Sequence, residues 1–520
     1  MNWKKFRNLF THQKKDEACF IIGVDLGNAT SAIAYFDTGS NSPEIIDISG
    51  GYGKPSVPTV MQYIYDTREW VFGEYALLNH GEGKDITLSS LMNALGRREY
   101  VEIDRRPVSV CSILGMYLKE LFANVKSINP KAEVAGIIAA IPSYLGEDAK
   151  EELIQAFNMA GYEKEVIALV PDRECIFSLY YHGKKIKQER VMLLDFGSRE
   201  LRGGVYSVEH EDDVCKLRCL SSLFDESLGT DMVDRTLYKR MCGIYCEHMK
   251  IPPEELSKQA RDYLKTFVYQ HKDLIFQKNQ RQVRLYFNFA YPPFQHSLTK
   301  DDINELTKPL RQSMSGFAER ILEKNIDGDG HILPKQIDAV ICTGGGFEMM
   351  WARDVVGKLF PDAEIVFYRN SKCVVAEGAA VMAAKYLEVI DAPRLITEDL
   401  NQIRKDVGLV VTRDRKPKFI PLIERNSFWW QQHEPKYIIL NDDTEKTVDI
   451  KIYERDADGE VNSIGILRLD DMPARPRGVT RVKISPRLPV YNEIEVVLTD
   501  CGFGEMFPAE DYERKFVVEI

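Results

Sequence analysis

Two aspartates, each followed two residues later by a glycine, carry the chemistry this sequence suggests. Asp25 and Gly27 lie in IIGVDLGNATSAIAYF (Ile21–Phe36), and Asp195 and Gly197 lie in VMLLDFGSRELRGGVYSV (Val191–Val208). Each stretch is an apolar run, an aspartate, a glycine in a small polar turn and a second apolar run, which predicts a β-hairpin. A glycine lets a backbone approach a ligand closely, and successive N–H groups in such a turn form an anion-binding concavity. The donors would be Gly27, Asn28 and Ala29 in the first turn, and Gly197 and Ser198 in the second. Asp25 and Asp195, at the rims, are the residue type that holds magnesium through water. A third stretch, IDAVICTGGGFEMM (Ile337–Met350), runs from a strand into Gly344, Gly345 and Gly346. An ordinary hairpin with a turn aspartate fits either Asp-Gly stretch alone. The recurrence of the plan favours phosphate and magnesium.

The elements around these turns read as alternating strands and helices. Pro43–Ile48, Val60–Tyr65, Val134–Ile141 and Val166–Val170 are expected strands, and Ile113–Phe122, Asp148–Ala160 and Asp172–Tyr181 expected helices. Further on, Glu254–Phe276 and Lys300–Lys324 read as helices, Val283–Phe289 as a strand, and Cys373–Leu387 as a small-residue helix. From Val407 the composition changes. Val407–Thr412, Tyr437–Leu440, Thr447–Tyr453, Ile464–Leu469, Val479–Ile484 and Ile494–Leu498 are short runs between turns, the pattern of an antiparallel β domain.

Two Asp-Gly hairpins, a glycine-rich strand-to-helix turn and a late alanine-rich helix, in that order, resemble the actin, hexokinase and heat-shock ATPase superfamily. Within it the sequence is most similar to DnaK-type heat-shock chaperones. The residues that carry the likeness are GVDLGNATSA (Gly23–Ala32), PSVPTVMQY (Pro55–Tyr63), ALGRR (Ala94–Arg98), SLGTDMVDR (Ser227–Arg235), VAEGAAVMAA (Val375–Ala384), IERN (Ile423–Asn426) and PARPRGV (Pro473–Val479). The resemblance implies an α/β two-lobed actin-like ATPase domain followed by an all-β sandwich. Its expected divisions are a basic tail at 1–18, a nucleotide-binding domain at 19–388 with lobes about 19–189 and 190–388, a linker at 389–406, and a β-sandwich at 407–520. It also implies ATP or ADP with magnesium in an interlobe cleft, and an unfolded peptide or protein client on the β domain. No helical segment follows the strands before Ile520, so a form without the family's helical lid is expected.

Residue by residue, the resemblance places magnesium on Asp25 and Asp195, and the cleft carboxylate on Asp172, with Glu174 as the other choice. Asp25, Asp195 and Asp172 are therefore the expected catalytic set, and Lys272 the retained purine contact. Elsewhere the sequence departs from the family. The second turn reads Gly197, Ser198, Arg199, Glu200, Leu201, Arg202, so Glu200 replaces the catalytic threonine and Arg202 a metal-site aspartate. Met92 stands at the catalytic lysine, Glu348 at the purine-stacking arginine, and Asp273 beside Lys272. These changes predict weak nucleotide binding and at most weak ATPase activity. The competing readings are a nucleotide-independent pseudo-ATPase scaffold and a metabolite kinase of the same superfamily, the latter disfavoured by IERN and PARPRGV.

Composition bounds the rest. A chain of 520 residues exceeds one typical domain. A net charge of −11 argues against nucleic acid as partner. No run is long and apolar enough for a transmembrane helix, and ten dispersed cysteines suit a reducing, cytoplasmic setting. Cys215 and Cys219, with Cys242 and Cys246, have the residue type for zinc but a loose spacing, and buried unpaired thiols are the expected reading. The basic stretch MNWKKFRNLFTHQKK (Met1–Lys15) carries Trp3, Phe6, Leu9 and Phe10 at helical spacing. It reads as a frayed terminus or as an amphipathic contact to a membrane surface or partner groove.

Overall fold

The computed structural model describes residues 19–520 except 79–84, 90, 97, 131, 143–144, 146, 185–187, 212–213, 278–279, 324–330, 392–393, 399–402, 404, 414–415, 426, 428–432, 441–446, 457–458, 473–474, 477, 491–492, 505 and 520. The basic tail lies outside these residues, as do Trp429 and Trp430, a pair that follows IERN and is expected from the sequence to offer aromatic anchors to a partner.

The chain divides into two compact units. The first runs from the N-terminus to Thr397, and the second comprises chiefly Glu398–Ile520, with Arg218–Phe224 added. The first unit is built on two sheets of matching plan. In one, Cys19–Leu26 lies between Thr30–Asp37, antiparallel to it, and Glu133–Ile141, parallel to it; Val166–Pro171 extends the parallel side and Ser42–Ile46 the antiparallel side. In the other, Gln188–Phe196 pairs antiparallel with Leu201–Glu211 and parallel with Ala339–Thr343, and Glu364–Phe367 extends the parallel side. The aspartates occupy matching places: Asp25 pairs with Ala32 and Asp195 with Arg202 across their hairpins.

The parallel strands are near-continuous apolar runs, as strands covered on both faces must be. Val374–Tyr386 covers the first sheet. Its alanines and glycine are needed because a Cβ on Gly23 would stand 2.2 Å from the Ala376 carbonyl, and one on Gly378 would stand 1.9 Å from the Cys175 carbonyl. The helix therefore packs backbone to backbone on both the first strand and helix Asp172–Tyr181. That second helix leans the other way, with Phe177 edge-on to Tyr206 of the second sheet at 5.0 Å.

Several elements differ from the sequence expectation for local reasons. Val110–Ile128 is longer than Ile113–Phe122, because the Ser109 hydroxyl caps it by accepting from the Ser112 N–H. The helix expected over Glu254–Phe276 is broken. Pro253–Glu255 forms a short 3-10 turn, and Ser257 then caps Lys258–Phe276. Strand Val214–Asp225 and helix Thr230–Met249 carry the two cysteine pairs, and strand Phe294–Thr299 completes a segment that periodicity left unassigned. Within the expected linker, Arg394–Glu398 is a strand. Cys215 and Cys219 lie buried in Val214–Asp225; in Thr230–Met249 Cys246 is buried and Cys242 half-buried.

The second unit is a pair of antiparallel sheets. Lys416–Ile423, Asp406–Arg413, Thr447–Arg455 and Val461–Asp470 form one in that order. Lys436–Ile439, Arg481–Val490, Glu493–Asp500 and Glu513–Glu519 form the other. Leu409, Ile452 and Leu467 from the first share one core with Ile484, Val496 and Leu498 from the second. Arg475 of the PARPRGV motif is buried against Asp500, with Nη1 and Nη2 2.7 and 2.6 Å from its two carboxylate oxygens.

Candidate functional site

The two Asp-Gly turns close in the same way. The Gly27 N–H donates to the Thr30 carbonyl at 3.1 Å, and the Gly197 N–H to the Glu200 carbonyl at 3.0 Å. Both glycine amides are thus used by the turns themselves and do not face a ligand. Among the described residues, the N–H groups left without a protein acceptor are those of Asn28 and Ala29 in the first turn and Ser198 in the second. The Asn28 side-chain oxygen is buried there with no hydrogen-bond partner. Each turn is also held from behind. The Thr59 N–H donates to the Ala29 carbonyl at 2.8 Å, and the Thr230 and Asp231 N–H groups donate to the Gly197 and Ser198 carbonyls at 2.9 and 2.8 Å. This explains the SLGTD motif: a Cβ on Gly229 would lie 2.1 Å from the Ser198 carbonyl oxygen.

The glycine-rich turn abuts the second aspartate. Gly344 adopts φ +84°, and a Cβ on it would stand 2.5 Å from the Phe196 carbonyl and 2.7 Å from Asp195 Oδ1. Its N–H donates to the Ser371 carbonyl at 3.0 Å. Gly346 lies against the Phe196 ring and Gly345 against the Lys372 side chain.

Three aspartates share one basin. Asp25 ends the first strand, Asp195 the matching strand of the second sheet, and Asp172 starts helix Asp172–Tyr181. Burial, followed by the charges of Asp172 and Asp195, pushes the Asp25 carboxyl up to about 8, while Arg202 acts in the opposite sense. Burial also raises Asp195, to about 6, against the pull of Arg202 and a 3.1 Å hydrogen bond from Thr343 Oγ1. Arg202 is the cation that acts on both. Its Nη1 is 3.0 Å from Asp172 Oδ2 and its Nε donates to Glu200 Oε1. Glu174 instead accepts from Thr397 Oγ1 at 3.3 Å.

Other expected positions carry no reactive group into this basin. Met92 is buried in the same core as Val24 and Leu26. Lys272 pairs with Asp234 at 2.8 Å. Glu348 accepts from Gln277 Nε2 at 3.1 Å and pairs with Lys372 at 3.2 Å. The Lys372 ammonium is lowered by burial but raised more by Glu348 and Asp273, so it stays charged.

A magnesium ion needs octahedral oxygen ligands and keeps several waters. In this basin a permanently charged guanidinium is hydrogen-bonded among the carboxylates, at the place where the first hairpin has Ala32. Among the described residues no three His, Cys, Asp or Glu side chains converge to hold a metal directly. The donor set fits a divalent cation poorly.

Two family models match parts of the chain: a family of unknown function (DUF5716), C-terminal part, over residues 42–213, and a domain of unknown function (DUF8552) over residues 402–520. The chain is 23% identical to the chaperone protein DnaK of Thermosipho africanus over 508 residues, spanning 94% of this chain and 79% of that protein. The DnaK of Prochlorococcus marinus matches at 23% over 519 residues, with 93% and 77% covered, and that of Thermotoga petrophila at 23% over 499 residues, with 94% and 79% covered. The chain resembles DnaK chaperones, distantly, over most of its length. This likeness and the mixed α/β unit followed by a strand-rich unit support a place in the heat-shock chaperone and actin-like ATPase superfamily. No helix among the described residues is long and apolar enough to cross a membrane.

Sequence reasoning missed Lys372, Gln277 and Asp234. Each pairs with a residue tens of positions away in the chain. A charge pair of that separation has no periodicity or motif to reveal it.

Proposed function

We propose that this protein is a divergent chaperone-like protein that holds a purine nucleotide weakly between its two Asp-Gly turns, hydrolyses it slowly or not at all, and takes a peptide or protein partner on its C-terminal β unit. The observation that carries the reading is the matched pair of turns. Each has the same closing hydrogen bond, and Asn28, Ala29 and Ser198 retain N–H groups suited to phosphate. The buried Asn28 amide supports a ligand as well, since turning it about its last bond presents an Nδ2 donor there.

Weak hydrolysis follows from what stands around the aspartates. Phosphoryl transfer depends on preorganised charge and a positioned water. Met92 contributes none, and Glu200 adds negative charge. Losing one such electrostatic group costs on the order of a hundredfold or more in rate. On the β unit, Tyr437 and Ile439 stand exposed on one face of strand Lys436–Ile439, in keeping with contact to an extended partner. A cytoplasmic setting goes with this reading.

The Arg202 bridge from Glu200 to Asp172 favours a second reading, a nucleotide-independent scaffold whose basin is closed by its own ion pairs. Titration of the purified protein with ATP and ADP, followed by calorimetry with and without magnesium, separates the two. Saturable binding supports the nucleotide reading. No heat up to millimolar nucleotide leaves the scaffold. A metabolite kinase is less well supported, because the β unit has no part in such chemistry.

A further inference from the structure

We propose that Arg202 is the resident cation of the aspartate basin: it takes the place of a divalent metal, so that the basin excludes the metal and any nucleotide binding there is magnesium-independent. The inference deepens the nucleotide reading, and its metal-exclusion half stands apart from that reading.

The two hairpins make the argument by comparison. Asp25 and Asp195 sit at the same register, and the residue directly across the hairpin is Ala32 in one case and Arg202 in the other. Directly opposed residues of an antiparallel pair put their side chains on one face. Arg202 therefore emerges on the face of Asp195, where the matching position of the first hairpin offers only a methyl group. Its guanidinium reaches past its own strand to Asp172, 3.0 Å from Nη1, and its Nε holds Glu200. Glu200 lies in the second turn and Asp172 begins a helix that leaves the first sheet, so one side chain links carboxylates on separate elements.

Arginine suits this role. It stays protonated at any working pH, and its planar fork meets two carboxylates at once. A guanidinium fixed among Asp172, Glu200 and Asp195 neutralises part of the negative charge that would otherwise attract a divalent ion, and it repels one that approaches. The same fixed charge is complementary to polyphosphate, which arginine recognises through its planar donors. A basin of this kind needs no metal to offset its carboxylates.

The experiment uses the full chain and Mn²⁺ alone as the probe, read by electron paramagnetic resonance. Wild type, Arg202→Gln, Arg202→Lys and the double variant Arg202→Gln/Asp25→Asn are titrated, with circular dichroism as the check on folding. The expected result is no Asp25-dependent Mn²⁺ site in wild type up to millimolar metal. Arg202→Gln should gain one site at least tenfold tighter, which the double variant loses, while Arg202→Lys stays like wild type. Asp25→Asn alone is titrated beside them: an Mn²⁺ site in wild type that disappears in Asp25→Asn overturns the proposal, and these two proteins decide it even if Arg202→Gln does not fold. A folded Arg202→Gln that gains no site also overturns it. In the second arm, a fluorescent ADP analogue is titrated into wild type with magnesium or with EDTA. Equal affinity supports the proposal, and a tenfold or greater loss in EDTA refutes it. No binding in either condition refutes the nucleotide half, while the Mn²⁺ arm still decides metal exclusion.

Discussion

Asp25→Asn should stabilise the protein at alkaline pH and leave it nearly unchanged at acid pH. The Asp25 carboxyl is raised from 3.8 to about 8, first by burial and then by Asp172 and Asp195. A carboxyl with a raised native value keeps its proton in the folded state over a range where the unfolded chain has lost it. Its contribution is therefore fully present below about pH 4 and is lost as the pH climbs to about 8. At about 1.4 kcal/mol per pH unit, the interval sets a ceiling near 6 kcal/mol. Asp25 and Asp195 are coupled to each other beside the fixed charge of Arg202, so roughly half, about 3 kcal/mol, is the expected effect. Asparagine resembles the protonated side chain in shape and carries no charge in either state. The variant should melt within about 1 °C of wild type at pH 4.5 and roughly 3–6 °C higher at pH 9. Thermal melts followed by circular dichroism at pH 4.5, 7 and 9 give the comparison directly. A variant equally destabilised at every pH would mean that Asp25 is charged and well satisfied in the folded protein, and the account of a crowded carboxylate basin would be wrong.

Other substitutions test other parts of the structure. Gly344→Ala places a Cβ 2.5 Å from the Phe196 carbonyl at a backbone with φ +84°, and should cost more than about 2 kcal/mol in urea unfolding; a neutral result would show that the turn relaxes freely. Arg475→Ala strips a buried pair from Asp500, which also accepts the Gly502 and Glu510 N–H groups. It should cost about 3–5 kcal/mol, with hydrogen exchange rising in 500–512, and unchanged exchange there would count against it. Glu74 is buried, accepts Lys54 Nζ at 2.7 Å, and receives the Tyr269 hydroxyl at 3.1 Å. Glu74→Ala should raise exchange in both 73–78 and 258–276; a rise confined to one segment would show that the carboxylate does not tie them.

The sequence alone determined the local units: two Asp-Gly hairpins with the same plan, the Gly344 turn, the alanine-rich helix and a run of short strands after Val407. These signals are local because they rest on period, turn residues and glycine at tight bends, which a few neighbouring residues decide. Helix Asp172–Tyr181 was legible for the same reason. The use of these units depended on the tertiary structure. Gly27 and Gly197 look like phosphate donors in sequence, yet their N–H groups close their own turns on carbonyls three residues on, and tertiary contacts from Thr59, Thr230 and Asp231 hold those turns in place. Arg202 is only an odd residue in a turn until Asp172, thirty positions earlier, is set beside it. Glu348 acquires Lys372 and Gln277 in the same way. Ion pairs between distant segments leave no pattern in the chain, because the side chains meet only after the sheets and helices have packed. The residues of the basin were readable from the sequence, and its charge balance was settled by the fold.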